Sequence, residues 1–179
     1  MAQIIFLHGA SSSGKSTIAK PLQARIEKPF WHISIDHLRD SGVLPMSRFQ
    51  SGEFAWKDAR RAFFDGFHAS LAAYADAGND LILEHILDTE GWLETLRDLL
   101  AGHDVFFVAV HCPLDVLIER EQRRGDRPAG SAKRDYETIH AGKAYDLELD
   151  TADGVDANVE RLLAAWRSAK RSSSFRSNA

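Results

Sequence analysis

Residues 9 to 16 read Gly-Ala-Ser-Ser-Ser-Gly-Lys-Ser, and in that order they can hold a phosphate. The stretch satisfies the phosphate-loop pattern G-x-x-x-x-G-K-[ST] without a mismatch. Its two glycines let the backbone curl so that successive N–H groups point at phosphate oxygens, reinforced by the positive end of a following helix. Gly9, Ala10, Ser11, Ser12, Ser13, Gly14, Lys15 and Ser16, with Thr17 next in the helix, are the expected nucleotide cradle. Lys15 is expected to bridge the β- and γ-phosphates, and the Ser16 hydroxyl to bind Mg²⁺. The guanine-reading N-K-x-D motif is absent, which favours ATP; Asp88-Thr-Glu-Gly91 matches the short D-x-x-G pattern, which alone decides little.

Phosphoryl transfer to an acceptor needs a base, and Asp36 in Ser34-Ile35-Asp36-His37 is placed for it. It follows a candidate strand and so falls at the carboxyl edge of the sheet, where open α/β sheets bind ligands. Its carboxylate can accept the proton of an attacking hydroxyl; the competing reading is a cap for a short helix beginning near His37. Glu84 and His85 close another candidate strand, where a carboxylate can reach Mg²⁺ through water. Glu84 is the expected metal contact, because a hard cation prefers oxygen to the imidazole of His85. His85 then either touches the acceptor or is a hydrogen-bonded structural histidine. His37, Arg39, Phe54 and Trp56 are further candidate acceptor contacts.

Between Arg120 and Arg127 four of eight positions are arginine. Arg120 and Arg124 share a helix face by their spacing of four, and Arg127 follows Gly125, which can hinge. Mobile arginines can close over a triphosphate and neutralise charge that develops during transfer. The alternative is a solvated surface helix laced with Glu–Arg pairs.

The elements that must position these groups are an alternation of strands and helices. Ile4–Leu7, Leu81–Leu83 (extended by Ile86-Leu87) and Val105–Val110 are short apolar runs of the kind buried on both faces of a parallel sheet. Trp31–Ile35 and Tyr145–Leu149 are more polar strand candidates, and Thr17–Ile26, Phe54–Ala77, Thr89–Leu100, Pro113–Arg124 and Val155–Ser168 read as helices. Such a pattern predicts an α/β fold with right-handed crossovers. With 179 residues, 44% hydrophobic and 27% charged, one domain is expected over residues 1–168, and the polar, basic stretch 169–179 is expected to be disordered. Twenty-two basic against 26 acidic side chains give a net charge of −4 and no reason to expect a nucleic-acid partner. A single cysteine, Cys112, and the lack of any long apolar run predict a cytoplasmic protein without membrane spans. Nothing in the pattern indicates an oligomeric state.

Taken together, these residues resemble the chloramphenicol phosphotransferase-like family of P-loop kinases. The resemblance runs from Leu7–Ser16 through Asp36 to Arg120-Glu-x-x-x-Arg124-Gly-Asp-Arg127-x-Ala-Gly130 and His140-x-Gly142-x-x-Tyr145-Asp146-x-Glu148-x-Asp150-Thr151. It implies a three-layer P-loop kinase fold with a five-stranded parallel sheet and a helical lid around residues 120–140. It also implies transfer of the γ-phosphate of ATP to a hydroxyl of a small molecule. Asp36 becomes the general base, Arg120, Arg124 and Arg127 the lid and phosphate contacts, and Asp150 and Thr151 the loop beside the adenine. Read without the resemblance, Asp150 and Thr151 are a strand-to-helix turn. Two features depart from the family's antibiotic-modifying members: their acidic pair after the third strand corresponds to Glu84-His85, and residues 41–56, expected over the acceptor, show no match. A sugar acid, a nucleoside or a cell-wall precursor therefore stands beside an antibiotic as acceptor, and a nucleotide-binding regulatory module is the rival of a different class.

Overall fold

The computed structural model describes residues 1–124, 130–168 and 170–175. Five strands, β1 (Gln3–His8), β2 (Phe30–Ser34), β3 (Asp80–His85), β4 (Asp104–His111) and β5 (Leu147–Asp150), form one parallel sheet in the order β2-β3-β1-β4-β5. Parallel neighbours need crossovers, and the helices supply them: α1 (Lys15–Arg25) leads from β1 to β2, and α2 (Ile35–Asp40), α3 (Met46–Gln50) and α4 (Trp56–Asp76) lead from β2 to β3. After β3 come α5 (Trp92–Leu99), then α6 (Leu114–Arg124) and α7 (Ser131–Thr138) between β4 and β5, a 3₁₀ turn at Thr151–Asp153, and α8 (Val155–Arg167).

Residues alternate along each strand between two apolar layers. Ile5, Leu7, Ile82, Phe106 and Val108 pack with α1 and α8 on one face; Ile4, Phe6, Leu81, Leu83 and Phe107 pack with α4 and α5 on the other. The result is the three-layer sandwich expected of this pattern. The central runs of β1, β3 and β4 are buried on both sides, which explains why they read as continuous apolar stretches. Ile86-Leu87 do not extend β3, which ends at His85, and the last strand begins at Leu147 rather than Tyr145. No helix among the described residues is long and apolar enough to cross a membrane.

Two stretches behave differently from the rest. From Ile35 to Gly66 no residue is buried; side chains there, such as Leu38 and Phe64, lean on the core from outside. Residues 170–175, by contrast, dock on the domain where composition alone predicts disorder. Arg171 grips Asp104 with two hydrogen bonds of 2.9 and 3.0 Å, and Asp146 accepts the Ser173 amide at 3.1 Å and the Phe107 amide at 2.8 Å. Phe175 adds an aromatic ring 5.0 Å from Phe107 and 5.5 Å from Phe6. Serines and basic residues lack the periodicity that announces a core element, so the ion pair, the backbone bonds to Asp146 and the aromatic anchor that hold this segment leave little trace in its composition. Residues 169 and 176–179 lie outside the described residues. Phe175→Ala is expected to lower unfolding stability by about 2 kcal/mol, below the usual range for a fully buried phenylalanine because the ring is only half-buried; an unchanged urea midpoint would show that the segment does not dock.

Candidate active site

The loop that carries the phosphate-loop pattern is the turn by which β1 becomes α1. Gly9 sits so close to β4 that a Cβ there would run into the Val110 carbonyl, so only glycine lets the chain leave the strand along this path. At the other end Gly14 adopts φ 99°, a left-handed conformation, and opens α1 without a capping side chain. No acidic side chain occupies the helix's first turn either. Its first N–H groups, which have no intrahelical partner, and its positive end therefore face the loop. Lys15 reaches back over the loop and donates to the carbonyls of Gly9 and Ala10 at 2.8 and 2.7 Å.

A cavity of about 460 Å³ opens beside this turn. It runs from Ser11, Lys15 and Ser16 past Glu84 to Ser34 and Asp36, and Arg120 and Arg123 also line it. The parallel register sets Glu84 between Leu7 and Ser34, one strand away from each. The Ser16 hydroxyl donates to Glu84 Oε2 at 2.7 Å, and Glu84 Oε1 is hydrogen-bonded to His32 Nε2. Burial alone would raise the Glu84 pKa, but the bonds from His32 and Ser16 and the charge of Lys15 outweigh it and hold the carboxylate below its ordinary range. An ionised carboxylate against a hydroxyl is a hard oxygen pair of the kind that suits Mg²⁺.

Ser34, not Asp36, caps α2: its hydroxyl accepts the Asp36 amide at 3.2 Å. The Asp36 carboxylate is thus spared the capping role and lies half-exposed in the cavity wall, 3.1 Å from Arg39 Nη1. Arg39 is also bonded to Asp40, and the exposed His37 ring stands edge-on to His32 at 4.7 Å. Phe54 and Trp56 belong to an aromatic cluster with Phe49 and Phe63, and neither lines the cavity with Asp36.

His85 is held by the core. Although it lines the cavity, it is 1% exposed, and its Nε2 meets His68 Nε2 at 2.9 Å while Trp92 stacks on the ring at 5.3 Å. Burial first, then the like charges of His68, Lys15 and Arg60, push its pKa well below the ordinary value. Its Nε2 is taken by His68 and its ring packs against Phe64, Phe67 and Trp92, the surroundings of a structural histidine.

Across the loop, Arg120 Nη1 donates to the Ser12 carbonyl at 2.8 Å. Thr151 and Arg120 flank Gly14, where a Cβ would stand 3.1 Å from Thr151 Cγ2 and 3.7 Å from Arg120 Nη1. Thr151 donates to the His111 carbonyl, and the Asp150 carboxylate caps the 3₁₀ turn through the Ala152 amide at 2.9 Å. Asp150 is therefore engaged as a turn residue, and it is Thr151 that borders the loop. The expected lid segment contains α6 and α7, joined by Glu121, which accepts from the Gly130 and Ala132 amides and the Ser131 hydroxyl. Arg127 and the side chain of Arg124 lie outside the described residues.

The sequence singles out neither His32 nor, behind the site, His8; Arg123 falls within the arginine cluster and His140 and Tyr145 within the family pattern, with no role of their own. The alternation of His32 with Ser34 on one face of β2 was the available signal for the first. His8, the residue before Gly9, is fully buried, and Tyr145 bridges its Nδ1 at 3.0 Å to His140 Nδ1 at 2.9 Å. Burial lowers His8 well below its ordinary pKa and brings His140 to about 4, with further repulsion on His8 from His140, Lys143, Lys15 and His85, and on His140 from His111, Lys143 and Lys15.

A model of the chloramphenicol phosphotransferase-like proteins matches residues 2–167. A Mycobacterium tuberculosis (strain H37Rv) protein described provisionally as an O-phosphotransferase is 28% identical over 170 residues, which cover 83% of this chain and 75% of that one. Among solved structures, a gluconokinase from Sinorhizobium meliloti 1021 superposes with a TM-score of 0.65 at 22% identity, covering 94% of this chain and 93% of its own. A shikimate kinase from Acinetobacter baumannii in complex with shikimate gives 0.61 at 18% identity, covering 96% and 97%. These two share the fold, which is that of P-loop kinases.

The buried His8 and the partly buried His140, both held neutral, set a pH dependence. Their folded pKa values lie below those of the unfolded chain, so as pH falls the unfolded chain takes up protons first and the fold loses stability. The loss is expected to begin near the ordinary value of 6.5 and to accumulate down to about 4, where His140 itself titrates in the fold. A urea midpoint that stays constant across that window would contradict the neutral assignment.

Proposed function

The chain belongs to the chloramphenicol phosphotransferase-like family, and from that premise we propose that it transfers the γ-phosphate of ATP to a hydroxyl of a small molecule. The observation that carries the reading is that one cavity joins an uncapped helix N-terminus, Lys15, the Ser16–Glu84 pair and the Asp36 carboxylate. Anion donors at one end and a half-exposed carboxylate at the other are what in-line transfer between two oxygens requires.

In this reading the loop amides from Ser11 to Ser16 hold the phosphates, and Lys15 exchanges the Gly9 and Ala10 carbonyls for the β- and γ-phosphate oxygens. Ser16, backed by Glu84, would hold Mg²⁺, which supplies neutralisation of the phosphate oxygens during transfer. Asp36 receives the acceptor's proton and orients its oxygen, while the ion pair with Arg39 keeps the carboxylate aimed from α2. Arg120 lies beside the loop at Ser12 and Gly14, with Thr151 opposite, where the base of the nucleotide would rest; Arg124 and Arg127 complete the phosphate contacts in this proposal. The cytoplasm, suggested by a lone cysteine, is the proposed compartment.

The test is phosphate transfer from γ-labelled ATP with Mg²⁺ into a panel of hydroxyl-bearing antibiotics, sugars, sugar acids and nucleosides. Asp36→Asn is expected to leave ATP affinity nearly unchanged and to lower kcat by about 10²–10⁴, the range for loss of a general base. Wild-type turnover in that variant would remove Asp36 from the base role, and ATP binding without transfer to any acceptor would favour the regulatory module.

A further inference from the structure

The polar contacts behind the loop have no part in the proposed chemistry, yet they join it to a distant element. His8 ends β1 and is followed directly by Gly9. His140 comes two residues after the end of α7. Between them stands the Tyr145 hydroxyl, 3.0 Å from His8 Nδ1 and 2.9 Å from His140 Nδ1, with the Tyr145 ring stacked on that of His8 at 6.0 Å and packed on Phe107 at 4.6 Å.

A tyrosine hydroxyl has one hydrogen, so it donates to one of these nitrogens and accepts from the other, and the two histidines must be opposite tautomers. His8 Nε2 is buried with no partner among the described residues. A bare lone pair is tolerated there more readily than an orphaned N–H, which assigns the hydrogen of His8 to Nδ1. His8 thus donates to Tyr145, and Tyr145 donates to His140. The direction is fixed by burial at one end.

We infer that Tyr145 is a positioning residue: its hydroxyl ties the entry of the phosphate loop to the end of α7, so that a nucleotide in the loop and the packing of α7 are coupled through it. The inference rests on the phosphate-loop reading given above. Two other contacts make α7 a credible second body. Its Ala132, together with Ile139 just beyond its end, shares a small apolar cluster with Ala10 of the loop, Cys112 and Leu117. Its first residues are held by Glu121, next to the Arg120 that donates to Ser12. The loop change that a nucleotide demands also falls next to His8, because Lys15 must leave the carbonyls of Gly9 and Ala10.

Coupling between sites is reciprocal, so cutting the tie must show at both ends. Amide hydrogen exchange across Ser131–Thr138 and ADP affinity, measured with Mg²⁺, read the two ends without any acceptor. In the wild type, ADP is expected to slow exchange in α7. In Tyr145→Phe that slowing is expected to be lost, and ADP affinity to fall about five- to tenfold, the lower part of the usual coupling range. His140→Leu, which leaves the Tyr145–His8 contact in place, is expected to do the same and serves if Tyr145→Phe does not fold. His140→Asn, whose amide can occupy the place of Nδ1, is expected to restore both. A merely structural tyrosine would raise exchange throughout the fold while leaving the ADP-induced slowing in α7 intact, and that result would overturn the inference alone. Failure of the wild type to bind ADP would overturn the phosphate-loop reading and the inference with it.

Discussion

The path of the chain as it leaves β1 constrains everything else in this molecule. β1 is the middle strand, paired on both sides and covered on both faces, so its position is the best determined in the fold. Gly9 turns away from it against the backbone of Val110, with no room for a side chain. Whatever groups the neighbouring strands carry at the same level are thereby brought to the loop: Glu84 from β3, His111 and the turn at Thr151 from the β4–β5 side. A shift of that one turn would separate Ser16 from Glu84 and Gly14 from Thr151 together.

The charged groups around the loop are ordered by how burial is offset. Glu84 is deeply buried yet ionised, because His32 and Ser16 both donate to it and Lys15 lies near. His85, one residue on, is paired with another imidazole and packed among aromatic rings, with Lys15 and Arg60 near enough to repel a proton, and is held neutral. The alternation of a single strand therefore delivers an anion to the cavity and a neutral ring to the core from adjacent positions. His8 and His140 follow the same logic beneath the loop, where a positive charge would face Lys15 and Lys143.

Much of this was legible in the residues themselves. The phosphate-loop pattern, the apolar runs of β1, β3 and β4, and the position of Asp36 after a strand are local properties, and local properties survive folding. The five-stranded parallel sheet followed from the family resemblance and is present. What the sequence did not disclose depends on pairs far apart in the chain: His32 with Glu84, His68 with His85, Tyr145 with His8, Arg171 with Asp104. None of these pairs has a spacing that periodicity could reveal, even where one member, such as Glu84 or His85, stands out as a candidate by itself. His85 shows the limit most plainly, since its place at the end of β3 was read correctly while the direction of its ring depends on His68 and Trp92, arriving from two other helices.

The stretch from Ile35 to Gly66 contributes no buried residue, although Asp36 within it lines the cavity. Most of its substitutions therefore meet little resistance from core packing, until the second half of α4 carries the connection into the core at Phe67. Asp36 and its partner Arg39 apart, packing constrains this segment little, while the turn at Gly9 stays under strict steric control. Relatives that share the loop are therefore free to differ most in this segment, where a change of side chain leaves no cavity behind it.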